Sequence, residues 1–74
     1  MTGRHLQVDV TALRAGDVVH AWGTRHVVDR TVPDPDRNEC RVFARTGRTS
    51  PPTVLVYRYD HVLDVWRPDH RSTP

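Results

Sequence analysis

"VVHAWGTRHVVDRTV", residues 18–32, consists of two β-branched runs set either side of Gly23-Thr24. A run that alternates apolar and polar residues sends one face into a core and the other into water. A Gly-X pair between two such runs reads as a two-residue type II′ turn. The stretch therefore predicts a hairpin with strands over 18–22 and 25–32. With that loop Trp22 faces Arg25, Ala21 faces His26 and His20 faces Val27, which points His20 and His26 to opposite sides. A three-residue loop would instead pair Trp22 with His26 and bring His20 onto the same face.

The same period-2 pattern recurs outward from the hairpin. "LQVDV" (6–10) places Leu6, Val8 and Val10 on one side and Gln7 and Asp9 on the other. "TALRAGD" (11–17) follows, where Thr11 can cap one helical turn and Gly16 can take the positive φ that ends it. "PDPDRNE" (33–39) reads as a solvated loop, since Pro33 and Pro35 disfavour pairing. "CRVFAR" (40–45) and "TVLVYRY" (53–59) are further strands, separated by the loop "TGRTSPP" (46–52). "DHV" (60–62) is a tight turn and "LDVW" (63–66) a short closing strand. "RPDHRSTP" (67–74) reads as a frayed tail in which Pro68 stops the ladder.

Composition points the same way. Twelve valines and eight threonines in 74 residues, with no lysine and one glutamate, favour a pleated sheet over a helix. The fold expected is all-β: a small SH3-like barrel of five or six short antiparallel strands over residues 1–66. A flat sheet of this size would leave its edges open and its core uncovered.

The stretch "LRAGDVVHAWG" (13–23) resembles the opening of small SH3-like barrels, including the KOW module of ribosomal proteins and transcription elongation factors. Gly16, Asp17, Val19, Ala21 and Gly23 carry the resemblance, while the pattern's later glycine near position 26 is here His26. The resemblance covers eleven residues. It implies that Gly16 turns the chain, Asp17 caps the turn, and Val19 and Ala21 enter the barrel.

Cys40 is the single cysteine, so no internal disulfide forms, and the first ten residues lack the apolar core of a signal peptide. The longest apolar run is Val54 to Tyr57, too short to cross a membrane as a helix. A cytoplasmic protein without a cofactor is expected. All eleven basic residues are arginine, a bias that a GC-rich genome produces together with abundant Val, Asp and Pro. It suggests an actinobacterial or phage source.

Five histidines invite a metal or catalytic role for His20, His26 and Cys40. A zinc site needs three or four converging ligands, and neither Cys-x-x-Cys nor His-x-x-x-His spacing occurs. Cys40 as a nucleophile would need a base or positive field beside it, and alternation turns Arg41 to the other face. A half-buried core thiol is expected instead, and no enzyme activity. Trp22 and Trp66 are expected to plug the barrel ends in at least one case, or else to anchor a partner.

Residues 41–58, "RVFARTGRTSPPTVLVYR", hold four arginines, two aromatics and no acid, whereas the other 56 positions hold seven arginines and nine acids. Alternation sends Cys40, Val42 and Ala44 inward and Arg41, Phe43 and Arg45 outward, with Arg48 in the loop and Arg58 on the return strand. A positive strip with an exposed ring can hold phosphates by charge and bases by stacking. A non-enzymatic contact with nucleic acid or a nucleoprotein is therefore expected through Arg41, Phe43, Arg45, Arg48 and Arg58. The alternative is a protein-interaction or assembly module that docks on an acidic protein surface, or forms a homo-oligomer through a strand edge.

Overall fold

The structure is a computed structural model and describes residues 3–68. Six strands form a single antiparallel sheet: β1 (Gly3–Asp9), β2 (Val18–Ala21), β3 (Thr24–Asp34), β4 (Glu39–Arg45), β5 (Thr53–Arg58) and β6 (Val62–Pro68). Their order is β1-β6-β2-β3-β4-β5. The fold is all-β, apart from a 3-10 turn at Val10–Ala12. The sheet is not closed: β1 and β5 are its two edges, with no pairing between them among the described residues.

One core lies on the inner face. Val19, Val28, Cys40, Val42, Leu55, Leu63 and Val65 form it with Val10 and Leu13, and Leu6, Val8 and Tyr57 pack at its margin. A lone sheet has no second layer to cover it, so side chains from all its strands meet only if it curls strongly. The alternation that predicts Cys40, Val42 and Ala44 as an inward row holds, since all three are buried.

The turn of the β2–β3 hairpin lies one residue earlier than the Gly-X pattern predicts. Ala21 pairs with Thr24, His20 with Arg25 and Val19 with His26. The connecting residues are therefore Trp22 and Gly23, with φ of 53° and 72°. Two successive positive φ values are the requirement of a type I′ turn, whose twist suits the flanking strands better than the strain at Trp22 opposes it. His20 and His26 still face opposite ways, as adjacent pairs in a ladder must.

Two strands expected to stop short of a proline also run through it. β3 continues through Pro33, opposite Cys40, to Asp34, opposite Glu39. The expected 33–39 loop thus shrinks to the residues between β3 and β4. Pairing with β2 stops at Val27, so near Pro33 strand β3 has a neighbour on one side only, the setting in which a missing N–H is tolerated. At the other end β6 runs through Arg67 and Pro68, paired with Arg4 and Gly3. The expected tail therefore loses its first two residues to the sheet; the rest of it lies outside the described residues.

The segment between β1 and β2 is fixed by one carboxylate. Gly16 has φ 95°, and its N–H donates to the Val28 carbonyl at 2.8 Å while the Val28 N–H donates to the Asp17 carbonyl at 2.8 Å. The Asp17 side chain is 1% exposed. It accepts the Arg14 N–H at 2.9 Å and both Nε and Nη2 of Arg67 at 2.9 Å. Arg67 also donates to the Ala12 carbonyl at 3.2 Å. Burial alone would raise the Asp17 pKa; the Arg67 and Arg14 hydrogen bonds and charges outweigh it and hold the carboxyl below its ordinary value.

Candidate binding surface on the β4–β5 hairpin

A bulge decides what the outer face of β3, β4 and β5 carries. The register shifts between Val28 and Arg30, so Asp29 is an extra residue on β3. Without it Arg30 would follow Val28 into the core. With it Arg30 stands opposite Phe43, and Phe43 stands opposite Val54. The next outer row is Val32, Arg41 and Val56, and the last is Asp34, Glu39 and Arg58.

The five expected contact residues all lie outside the core, but their surroundings differ from the expectation of a bare positive strip. Arg45 Nε donates to Asp29 at 2.8 Å, and its Nη1 donates to the Ser50 carbonyl at 3.2 Å, which ties the 46–52 loop to the sheet. Arg41 lies 4.0 Å from Asp34, and Arg58 lies 4.0 Å from Asp60. These two are loose, exposed contacts of small energy. They nonetheless bring carboxylates into the strip that the linear sequence shows as purely basic. Arg48, exposed in the loop, has no ion pair among the described residues. The guanidinium carbon of Arg30 sits 4.1 Å from the centre of the Phe43 ring, covering one of its faces.

Apolar side chains fill the gaps between these charges. Val54 and Val56 are 45% and 52% exposed on β5, the free edge of the sheet. Trp22, at the tip of the β2–β3 turn, is 80% exposed. An open groove of about 350 Å³ runs between Ala21 and Trp22 on one side and Val54, Leu55, Val56 and Tyr57 on the other. Of the two readings offered for the tryptophans, Trp22 therefore stands as an exposed aromatic. Trp66 is half-buried on the outer face and also lies outside the core cluster. Val54 and Val56 alternate with buried Leu55 and so share the outer face of β5 with Arg58; nothing local to Trp22 foretells its place beside them.

The remaining reactive side chains do not converge. Cys40 is buried, and burial pushes its thiol pKa up, which disfavours the thiolate. His26 is 3% exposed because Val19 opposite it belongs to the core. Its Nε2 lies 3.3 Å from the Ala21 carbonyl, and its Nδ1 has no hydrogen-bond partner among the described residues. No three His, Cys, Asp or Glu side chains among the described residues are placed to hold a metal ion, and no helix there is long and apolar enough to cross a membrane. Compared with known proteins, the chain matches no family model, no curated sequence and no solved structure.

Proposed function

We propose that this chain is an SH3-like barrel module that acts by binding, not catalysis, and that it assembles with a second copy of itself through the edge of β5. The curled six-stranded sheet with one inner core supports the barrel assignment. So does the 13–23 stretch resembling a KOW opening, in which Gly16 turns, Asp17 caps and Val19 is buried. The observation that carries the functional reading is the exposure of Val54 and Val56 on an unpaired edge strand.

An edge strand offers a free row of backbone N–H and C=O groups, and sheet proteins usually guard it with charge, proline or a bulge. Residues 53–57 contain none of these; the guards are Pro51-Pro52 before and Arg58 after. A two-fold antiparallel pairing centred on Leu55 sets Val54 of each copy beside Val56 of the other. It also keeps the two Arg58 side chains about 20 Å apart along the ribbon. Like charges do not meet, and the apolar strip becomes continuous. The carboxylates near Arg41, Arg45 and Arg58, and the guanidinium over Phe43, weigh this surface away from the phosphate contact expected of it.

Light scattering across a concentration series tests the reading. A dimer is expected at high concentration, and Val56→Lys, which places a charge on the edge, is expected to return it to monomer. A wild-type protein that stays monomeric throughout overturns it. Oligonucleotide binding that weakens steeply with salt and vanishes on replacing Arg41, Arg45 and Arg48 with alanine would replace it by the nucleic-acid contact.

A further inference from the structure

The other half of the outer face carries a second groove, independent of the β5 edge. It is a shallow, open groove of about 320 Å³ lined by His5, Val18, His20, Arg25 and Trp66. The sheet register builds it: Trp66 on β6 lies opposite His5 on one side and Val18 on the other, and His20 on β2 lies opposite Arg25 on β3. Gly3 sets the position of the indole. A Cβ at Gly3 would come within 2.6 Å of Trp66 Cζ2 and 2.7 Å of Cε2, so the ring lies against the backbone of β1 because no side chain is there. The His5 ring meets it edge-on with centroids 5.0 Å apart.

This cluster differs from the hairpin in what surrounds it. His5, His20 and Arg25 are exposed, and none takes part in an ion pair or side-chain hydrogen bond among the described residues. The acid on this face of β6, Asp64, stands one row away opposite Gln7. The groove thus combines a flat indole wall, one uncommitted guanidinium and two imidazoles that can donate hydrogen bonds.

We propose that this groove binds a nucleoside phosphate, with the base against Trp66 and the phosphate held by Arg25 and His20. Indole rings stack nucleobases without regard to sequence. A guanidinium fork matches phosphate geometry through two parallel hydrogen bonds. Trp66 and Arg25 lie two strands apart, on the order of 10 Å, a separation that base, sugar and phosphate together span. The groove volume is at the small end of ligand sites, suited to one nucleotide unit. That unit can be a free mononucleotide or one residue of a single strand.

The test uses Trp22→Phe, which leaves Trp66 as the sole tryptophan and fluorescent reporter. Adenosine 5′-monophosphate is expected to change Trp66 emission with saturation, and adenosine or inorganic phosphate alone to bind more weakly. Arg25→Gln and His20→Gln, both at exposed positions, are each expected to weaken binding about ten-fold, the loss of a charge-assisted hydrogen bond. Replacing Arg41 or Arg58 should leave it unchanged. A short oligothymidylate that binds much more tightly, with a steep salt slope, identifies single-stranded nucleic acid as the source. Equal affinity for mononucleotide and oligonucleotide identifies free nucleotide. Absence of any response of Trp66 to the nucleotides, or binding indifferent to Arg25→Gln and His20→Gln, overturns the proposal.

Discussion

On the β3–β4–β5 half of the sheet, Arg45 is 2.8 Å from Asp29, and Arg41 and Arg58 are 4.0 Å from Asp34 and Asp60. On the β1–β6–β2 half, extending to the start of β3, Arg67 is sunk against Asp17 while Arg25, His5 and His20 are exposed and have no carboxylate partner among the described residues. Of the four arginines in the basic stretch, Arg41, Arg45 and Arg58 have a carboxylate within 4.0 Å and Arg48 has none among the described residues. The half with an ordinary sequence presents uncommitted donors. Local charge in a β protein is set by which strands are neighbours, so a run of arginines says little about availability until the ladder is known.

The largest effect should come from breaking the Asp17–Arg67 pair, the most buried charge pair among the described residues. Asp17→Asn leaves the Arg67 guanidinium half-satisfied beneath the turn, and removing one partner of such a pair costs roughly 3 kcal/mol or more. Chemical denaturation measures it. The same carboxyl gives a pH signature. Its folded pKa lies below the ordinary 3.8, so its contribution is complete above the unfolded value and is lost as pH falls through the folded one. The wild-type protein should therefore lose stability below about pH 4 more steeply than Asp17→Asn. Equal slopes would show that Arg67 does not hold the charged form.

A smaller effect on the same half tests the seating of Trp66. Gly3→Ala puts a methyl where the indole lies, and such overpacking costs about 1–3 kcal/mol. Trp66 emission should shift in the Trp22→Phe background. An unshifted spectrum with unchanged stability would mean that the ring is not pressed against β1.

Part of this contrast was legible beforehand. Alternation alone places Cys40, Val42 and Ala44 inside and Arg41, Phe43 and Arg45 outside, because the side-chain period of a strand is fixed. The type I′ turn was not legible, since tryptophan rarely takes a positive φ and Gly23-Thr24 is the commoner signal. Pro33 and Pro68 read as stops because proline lacks a donor, yet each sits where a donor is not needed. The Asp29 bulge, which turns Arg30 outward and gives Arg45 its carboxylate, leaves no mark in local composition. Arg67 and Asp17 are 50 residues apart, and nothing in either neighbourhood names the other. The strands of the hairpin are legible from alternation, whereas the carboxylates beside Arg41 and Arg45 are not, because Asp34 and Asp29 reach them from across the sheet.

The hairpin half should be nearly indifferent to loss of its charges. Arg45→Ala removes an exposed pair and the Ser50 tether, worth up to about 1 kcal/mol, and should loosen the 46–52 loop as seen by faster amide exchange there. Arg41→Ala and Arg58→Ala remove contacts at 4.0 Å between exposed groups, and each should change stability by less than about 0.5 kcal/mol. Because these substitutions leave the fold intact, any change they cause in self-association isolates the part played by charge at the β5 edge. Arg58→Ala is the sharper of the two. It removes the only charged side chain on β5, so dimers should form at lower protein concentration if that arginine guards the edge, and at unchanged concentration if the valines alone set the affinity.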